Sequence, residues 1–164
     1  MKKALLLTDC SVDLALSVNR WMQNQSDSID LTVVYAFGLS ADPDQPLKAA
    51  AHRTAKQEAN ENLTQWLSCL PMPWPGKIQT ETLLGEPELV MRIHLLLRQY
   101  DYLLIDVEQQ EVISAFVACK NYITTELHNL SLPEPEDHNY SPVLMQTVSQ
   151  WLRVPVTVPA SRQA

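Results

Sequence analysis

Glycine is scarce in this 164-residue chain, which contains three glycines and eleven prolines. Loops that cradle phosphate groups depend on glycine, because the missing Cβ lets backbone N–H groups come close to the phosphate oxygens. The chain has no Walker motif, no Rossmann glycine fingerprint and no Gly-x-Ser-x-Gly elbow, and no glycine follows Gly85. These absences argue against the common phosphate-binding enzymes and against serine hydrolases of the α/β class.

Basic residues, cysteines and long apolar runs are also few. Twelve lysines and arginines stand against nineteen acidic residues, and no basic cluster interrupts the net charge of −7. We therefore expect neither nucleic acid nor a membrane surface as a partner. The three widely spaced cysteines predict neither a disulfide framework nor a metal site. No apolar run reaches 18 residues, and the run after Lys3 is too short for a secretory leader, so we expect a cytoplasmic protein.

Strand-like and helix-like segments alternate along the first two thirds of the chain. Apolar and β-branched runs predict strands at 3–9, 29–37, 77–84 and 102–107. Helical spacing predicts a helix after Ser11, a second over 47–70 and a third after Gly85. In the third helix we expect the buried face to consist of Leu89, Ile93, Leu96 and Leu97. Strands alternating with helices indicate a mainly parallel sheet covered on both faces.

The last third of the chain departs from this simple alternation. Apolar residues at helical spacing predict one helix over 111–130, followed by a polar loop over 131–140. A further helix from Ser141 and a fifth strand at 154–158 complete the prediction. We therefore expect a three-layer αβα sandwich with a five-stranded sheet. The chain 1–164 is predicted to be a single domain, with 108–140 as an inserted helix and loop placed before the last helix and strand.

Three short signatures resemble the universal stress protein family. The first, Lys3 to Ser11, is similar to the family's opening strand, which ends in Asp-x-Ser. The second begins with Leu84-Gly85-Glu-Pro87 and continues through a helix to the segment from Tyr100 to Ile105. It is similar to the family's Gly-x-Pro turn, third helix and fourth strand. Val154 to Val158 is similar to its closing strand. The resemblance covers residues 2–107 and about 141–159, and it implies the Rossmann-like fold of that family.

The resemblance fails at the motif that holds ATP. Family members that bind ATP carry Gly-x2-Gly-x9-Gly-Ser/Thr after the fourth strand, whereas this chain has Asp106, Glu108 and Glu111 there. At roughly 6 Å and an effective dielectric near 20, each acid would repel a phosphate by about 3 kcal/mol. We therefore predict no tight ATP binding, which corresponds to the family's non-ATP-binding branch. We expect no cofactor and no enzymatic activity.

Two carboxylates are the candidate site residues. Ligands of open α/β sheets bind beyond the carboxyl ends of the strands, where the resemblance places Asp9 and Asp106 side by side, with Glu108 nearby. They could hold a cation or an amine, or form a pair in which one pKa is raised. Alternatively, Asp9 caps the first helix and Asp106 is a solvated strand end. Cys10 lies at the start of that helix, but its acidic neighbours oppose thiolate formation.

Three functions remain in competition at this stage. The first is a universal-stress-type protein that dimerises through strand 154–158 and binds a protein partner at helix 111–130. That strand would otherwise leave an open sheet edge. The second is a small-molecule or metal-cation sensor that uses the Asp9/Asp106 crevice. A hydrolase or nucleotidyl enzyme ranks last, because the residues that would grip a phosphate are missing.

Overall fold

The structure is a computed structural model, and it describes residues 1–39 and 48–131. Strands and helices alternate strictly along these residues. The strands are β1 (Lys2–Leu7), β2 (Ile29–Phe37), β3 (Ile78–Leu84), β4 (Tyr102–Ile105) and β5 (Glu126–Asn129), and the helices are α1 (Val12–Gln23), α2 (Ala49–Leu67), α3 (Pro87–Leu97) and α4 (Gln110–Cys119). None of the helices in this part of the chain combines the length and the apolar character needed to cross a membrane.

The five strands form one sheet in the order β3-β2-β1-β4-β5, and every neighbouring pair is parallel. This result confirms the predicted α/β class with a five-stranded parallel sheet. From β1 the chain first builds β2 and β3 on one side, and it then returns to build β4 and β5 on the other side. The carboxyl ends of β1 and β4 therefore flank the point at which the strand order reverses, where α/β sheets bind ligands.

The strands at the centre of the sheet are largely buried because helices cover both faces. One face packs against α1 and α2; its core includes Leu6 and Val33 from the sheet and Leu14, Leu63 and Trp66 from the helices. Successive side chains of a strand alternate between the two faces. The other face is covered by α3 and α4, which pack against each other. The sandwich therefore has the three layers that the sequence predicts.

The predicted helix over 111–130 is wrong in its second half. Helix α4 ends at Cys119, and β5 follows at Glu126–Asn129. The backbone N–H of Glu126 donates to the carbonyl of Asp101 at 2.8 Å, and that of Leu130 donates to Ile105 at the same distance. This pairing with a distant strand overrides the helical spacing of the apolar residues. Residues 110–129 are thus the fourth helix and the fifth strand of the sheet rather than an inserted helix.

The apolar side of α4 is covered by its own domain. Its buried residues are Val112, Ile113, Ala115, Phe116 and Cys119. Of the two places expected for the apolar face of 111–130, this domain or a partner, the residues of α4 use the first, and a protein partner at 111–130 stays a prediction. The predicted helix from Ser141 and the predicted strand 154–158 lie outside the described residues, and pairing through that strand stays a prediction.

The predicted orientation of α3 is also wrong. Leu89, Ile93, Leu96 and Leu97 were expected in the core, but their exposed fractions are 55%, 47%, 52% and 79%. The buried residues of this helix are Val90, Met91, His94 and Leu95. Apolar side chains occur on both sides of α3, so the spacing is compatible with either face. Packing against the sheet selects the face that contains His94.

Candidate functional site

A cavity of about 590 Å³ lies at the carboxyl ends of β1 and β4. Its walls come from the end of β1, the first turn of α1, the β2 residues Tyr35 and Ala36, Pro87 of α3 and the turn between β4 and α4. Asp9 and Asp106, the two candidate site residues, both contribute to this lining. The structure therefore brings them to one crevice, at the position where the strand order reverses.

The lining of this cavity is strongly acidic. Five of its residues are carboxylates, and no lysine, arginine or histidine is found among the described residues that line it. The acidic residues are Asp9, Asp13, Asp106, Glu108 and Glu111. An anionic ligand would therefore meet uncompensated negative charge, whereas a cation would be attracted.

The turn from β1 to α1 satisfies its backbone donors with its own side chains. Thr8 Oγ1 accepts from the N–H of Cys10 at 2.9 Å, and Asp9 Oδ1 accepts from the N–H of Ser11 at 2.8 Å. Ser11 is the N-cap of α1, and its hydroxyl oxygen accepts from the N–H of Leu14 at 3.3 Å. Asp9 was the expected cap of the first helix. In the structure Ser11 caps α1, and Asp9 supports the turn that precedes it.

Gln109 joins the ends of the two central strands. Its side-chain Nε2 donates to the carbonyl of Leu7 at 2.9 Å, and its Oε1 accepts from the backbone N–H of Asp106 at 3.0 Å. Both peptide groups stand at the carboxyl ends of their strands, where a ligand could otherwise compete for them. The Asp106 carboxylate in turn accepts from the N–H of Glu108 at 3.2 Å. The turn from β4 to α4 is therefore held together by its own polar groups.

Gln109 is a residue of the site that the sequence pattern did not predict. The chain carries Gln109 and Gln110 immediately before the helical spacing begins, and glutamine at a helix start carries no strong signal of its own. Only the neighbouring position of β1 and β4 in the sheet brings Leu7 within reach of this side chain. A reader of the sequence would need the strand order to assign Gln109 a role.

The cysteines and histidines add no nucleophile and no metal site in the part of the chain that is described. Burial raises the pKa of the Cys10 thiol, and the charge of Asp9 raises it further, although the hydrogen bond with Thr8 opposes this. Cys119 is buried, whereas Cys69 is exposed. Over 1–39 and 48–131, no group of three His, Cys, Asp or Glu residues could hold a metal ion.

Comparison with known proteins supports the fold and leaves the family open. No family model matches the chain, and no curated protein matches it. The crystal structure of a hypothetical protein, PH0823, is similar over 78% of this chain and 94% of that one, with a TM-score of 0.50 and 11% identity. The crystal structure of a universal stress protein in complex with cAMP is similar over 78% of this chain and 94% of that one, with a TM-score of 0.44 and 14% identity. At such low identity, the first likeness shows a shared fold, and the second adds nothing to the argument.

Proposed function

We propose that this chain is a universal-stress-type protein of the cytoplasm that acts through dimerisation and partner binding, without tight ATP binding and without catalysis. The sheet order and the three sequence signatures support the family. The observation that carries the loss of ATP binding is the bridge by Gln109 between the ends of β1 and β4. Its Oε1 accepts from the backbone N–H of Asp106, a donor that a phosphate-binding turn would present to its ligand, and its Nε2 fixes this arrangement on the carbonyl of Leu7.

Charge supports the same proposal. The five carboxylates of the cavity repel a triphosphate, and no basic side chain among the described lining residues compensates them. The turn after β4 contains no glycine, so its backbone N–H groups cannot approach phosphate oxygens closely. The N–H groups of Asp106 and Glu108 already donate to side chains of the same turn. The missing hydrogen-bond donors and the charge repulsion therefore both weaken ATP binding.

Calorimetric titration of nucleotide-free protein with ATP and Mg²⁺ tests this loss. We expect no binding heat from the natural chain. The double variant Asp106→Asn/Glu108→Gln removes two of the repelling charges, and we expect it to bind ATP measurably better. Glu58→Gln/Glu61→Gln on α2 is the matched control, since it changes the net charge equally outside the cavity. Low-micromolar binding by the natural chain would refute the proposal.

Light scattering during gel filtration tests dimerisation. We expect a mass of two chains at high protein concentration. A mass of one chain at every concentration would contradict this part of the proposal. The predicted dimer strand 154–158 lies outside the described residues, so a variant with a charged residue at Val156 tests that particular interface.

A second candidate function is the sensing of a cationic small molecule in the same cavity. Its volume of about 590 Å³ falls within the usual range for small-molecule sites, and its acidic lining favours a cation. Because no group of three described residues could hold a metal ion, an organic amine fits the cavity better than a divalent metal. A ligand at 100 times its Kd would stabilise the fold by about 2.7 kcal/mol. Thermal unfolding with putrescine, Mg²⁺ or Ca²⁺ tests this function. If none of the three raises the melting temperature, or if Asp106→Asn/Glu108→Gln responds equally, the sensor hypothesis fails.

A further inference from the structure

Strands β1 and β4 separate at their carboxyl ends, where the cavity begins. Their ladder ends at Leu6, which lies beside Leu104. The peptide group that joins Leu7 to Thr8 donates its N–H to the carbonyl of Val34 in β2 at 2.9 Å. Because the N–H and C=O of a planar trans peptide point in opposite directions, the carbonyl of Leu7 faces β4.

The corresponding peptide group of β4 faces back across this gap. It joins Ile105 to Asp106, and its carbonyl accepts from the N–H of Leu130, on the β5 side, at 2.8 Å. Its N–H, that of Asp106, therefore faces β1. The carboxamide of Gln109 lies between the two strands: Nε2 donates to the Leu7 carbonyl at 2.9 Å, and Oε1 accepts from the Asp106 N–H at 3.0 Å. A side chain of the chain itself thus takes the place of one rung of the ladder.

We infer that the gap between the Leu7 carbonyl and the Asp106 N–H is a subsite for a primary carboxamide, which Gln109 fills as an autoinhibitory contact. A ligand of the cavity displaces Gln109 by supplying a carboxamide of its own. This inference goes beyond the proposed dimerisation. It rests on the second candidate function, the sensing of a cationic small molecule, and it names the ligand as a small carboxamide that carries a positive charge.

The polar groups of the gap determine what can occupy it. They are one acceptor and one donor, so the occupant needs a donor and an acceptor on neighbouring atoms, and a primary carboxamide supplies both. A deprotonated phosphate or carboxylate accepts but does not donate, so it would leave the Leu7 carbonyl unpaired. An ammonium group donates but does not accept, so it would leave the Asp106 N–H unpaired. Because an unpaired buried polar group costs free energy, the gap favours a carboxamide over each of these groups.

Gln109 stands where a ligand of the cavity can reach and replace it. It is half-buried and belongs to the cavity lining. The start of α4 does not depend on this side chain, since Gln109 is the N-cap of that helix and makes no side-chain cap bond. A ligand carboxamide would take over the same two hydrogen bonds, so displacement leaves neither peptide group unpaired.

The charge of the lining decides which carboxamides can displace Gln109. A neutral amide would replace two hydrogen bonds with the same two bonds, and nothing would offset its own loss of freedom on binding. A positively charged amide is also attracted by the five carboxylates of the lining, which include Asp106 and Glu108. Gln109 carries no charge, so this attraction favours the ligand over the side chain.

The variant Gln109→Ala tests the recognition of a carboxamide, because it vacates the subsite. We expect propionamide to bind this variant and to raise its melting temperature. Butan-2-one has the same size and accepts but does not donate, so it should do neither. Two-dimensional NMR spectra measure the binding through the backbone amide signal of Asp106.

Gln110→Ala is the matched control for this variant. Gln110 is the neighbouring glutamine, but its side chain donates to the carbonyl of Val107 and it lies outside the cavity lining. This variant should respond to propionamide like the natural chain. If Gln109→Ala does not fold, Gln109→Asn takes its place in the same titrations, since its carboxamide is one methylene group shorter and cannot span both peptide groups.

The natural chain tests the autoinhibitory contact. A site that is open in only a fraction of the molecules binds its ligand more weakly in proportion, so we expect propionamide to bind the natural chain at least about tenfold more weakly than Gln109→Ala. Glycinamide has the size of propionamide and carries a positively charged amine at neutral pH, so it should bind the natural chain better than propionamide does. This advantage should shrink in Asp106→Asn/Glu108→Gln, which removes two of the attracting charges.

Each of three results would overturn the inference. Equal binding of propionamide and butan-2-one by Gln109→Ala would mean that the gap accepts any molecule of that size. Equal binding of propionamide by Gln109→Ala and by the natural chain would mean that Gln109 does not guard the subsite. A natural chain that fails to bind glycinamide at any concentration would make Gln109 a fixed part of the fold.

The outcomes also separate this inference from the proposed functions. If putrescine stabilises the chain but no amide binds Gln109→Ala, the cavity senses cations and only this inference fails. If no cation stabilises the natural chain, glycinamide included, the sensing function and this inference both fail. If the natural chain binds glycinamide as expected and also binds ATP in the low micromolar range, the proposed loss of ATP binding fails and this inference stands.

Discussion

Helices α2 and α3 illustrate two different relations between sequence pattern and burial. In α2 the apolar residues are few, and those that share one side of its second half at helical spacing, Ala59, Leu63 and Trp66, are buried. In α3 the apolar residues predicted to be buried are exposed, and their neighbours occupy the core. Helical spacing therefore identifies the buried face correctly in the second half of α2 and incorrectly in α3.

The difference between the two helices lies in the amount of polar surface. Helix α2 carries a broad polar side, which water solvates, so only one orientation buries its apolar residues without burying charges. Helix α3 has apolar residues almost all round, and burying either side satisfies the hydrophobic effect. The choice then depends on specific contacts, such as the hydrogen bond between His94 Nδ1 and the Tyr100 hydroxyl at 3.2 Å.

The largest expected effect comes from truncating one leucine in each helix. Leu63 in α2 is 3% exposed, so Leu63→Ala should lower the free energy of unfolding by about 2–5 kcal/mol. Leu96 in α3 is 52% exposed, so Leu96→Ala should change it by no more than about 0.5 kcal/mol. Urea unfolding of both variants provides the measurement. Similar losses in the two variants would show that our assignment of the faces is incorrect.

A smaller loss of stability should follow from adding one methyl group at Gly76, in the segment that leads from α2 back to the sheet. A Cβ at Gly76 would lie 2.0 Å from the backbone carbonyl oxygen of Ile29, which is held in place because it accepts from the indole N–H of Trp74 at 2.7 Å. We expect Gly76→Ala to cost about 1–3 kcal/mol by overpacking. Gly38→Ala is the control, because nothing lies within 4 Å of its added Cβ. Thermal unfolding of both variants provides the measurement, and equal melting temperatures would contradict the close approach.

The smallest expected effect concerns the buried histidine of α3. Burial lowers the pKa of His94; the charge of Glu81 opposes this shift, and that of Arg98 adds to it. The unfolded chain, with a histidine pKa of about 6.5, then binds more protons than the folded chain, so stability should fall as the pH drops below that value. His94→Gln keeps a hydrogen-bonding side chain but cannot titrate. Denaturant unfolding at pH 7 and pH 5 should show a smaller pH-dependent loss in this variant than in the natural chain.

An equal dependence on pH in the two proteins would contradict the lowered pKa of His94. The comparison is needed because the chain contains other histidines, which are unchanged in the variant. The groups that face His94 are Glu81 of β3, Arg98 and Tyr100. Replacing Glu81 with glutamine should enlarge the loss at low pH, since it removes the only carboxylate among these groups.

The segment 111–130 shows a second limit of pattern reading. Its apolar residues keep helical spacing across the end of α4, and nothing in the local sequence requires that the helix stop at Cys119. The decisive contacts are those of β5 with β4, such as Leu103 beside Leu127. They join residues 24 positions apart, and a periodicity measured within one segment cannot detect them.

The amino-acid sequence by itself determined the alternation of strands and helices up to β4, because that alternation follows from local spacing and turn residues. It also determined that no glycine-rich phosphate loop follows β4. Only the tertiary structure decided that Gln109 bridges two strands and that α3 buries the face with His94 and leaves Leu89, Ile93, Leu96 and Leu97 exposed. Each of these depends on contacts between residues far apart in the chain, and those contacts exist only after the sheet has set its strand order.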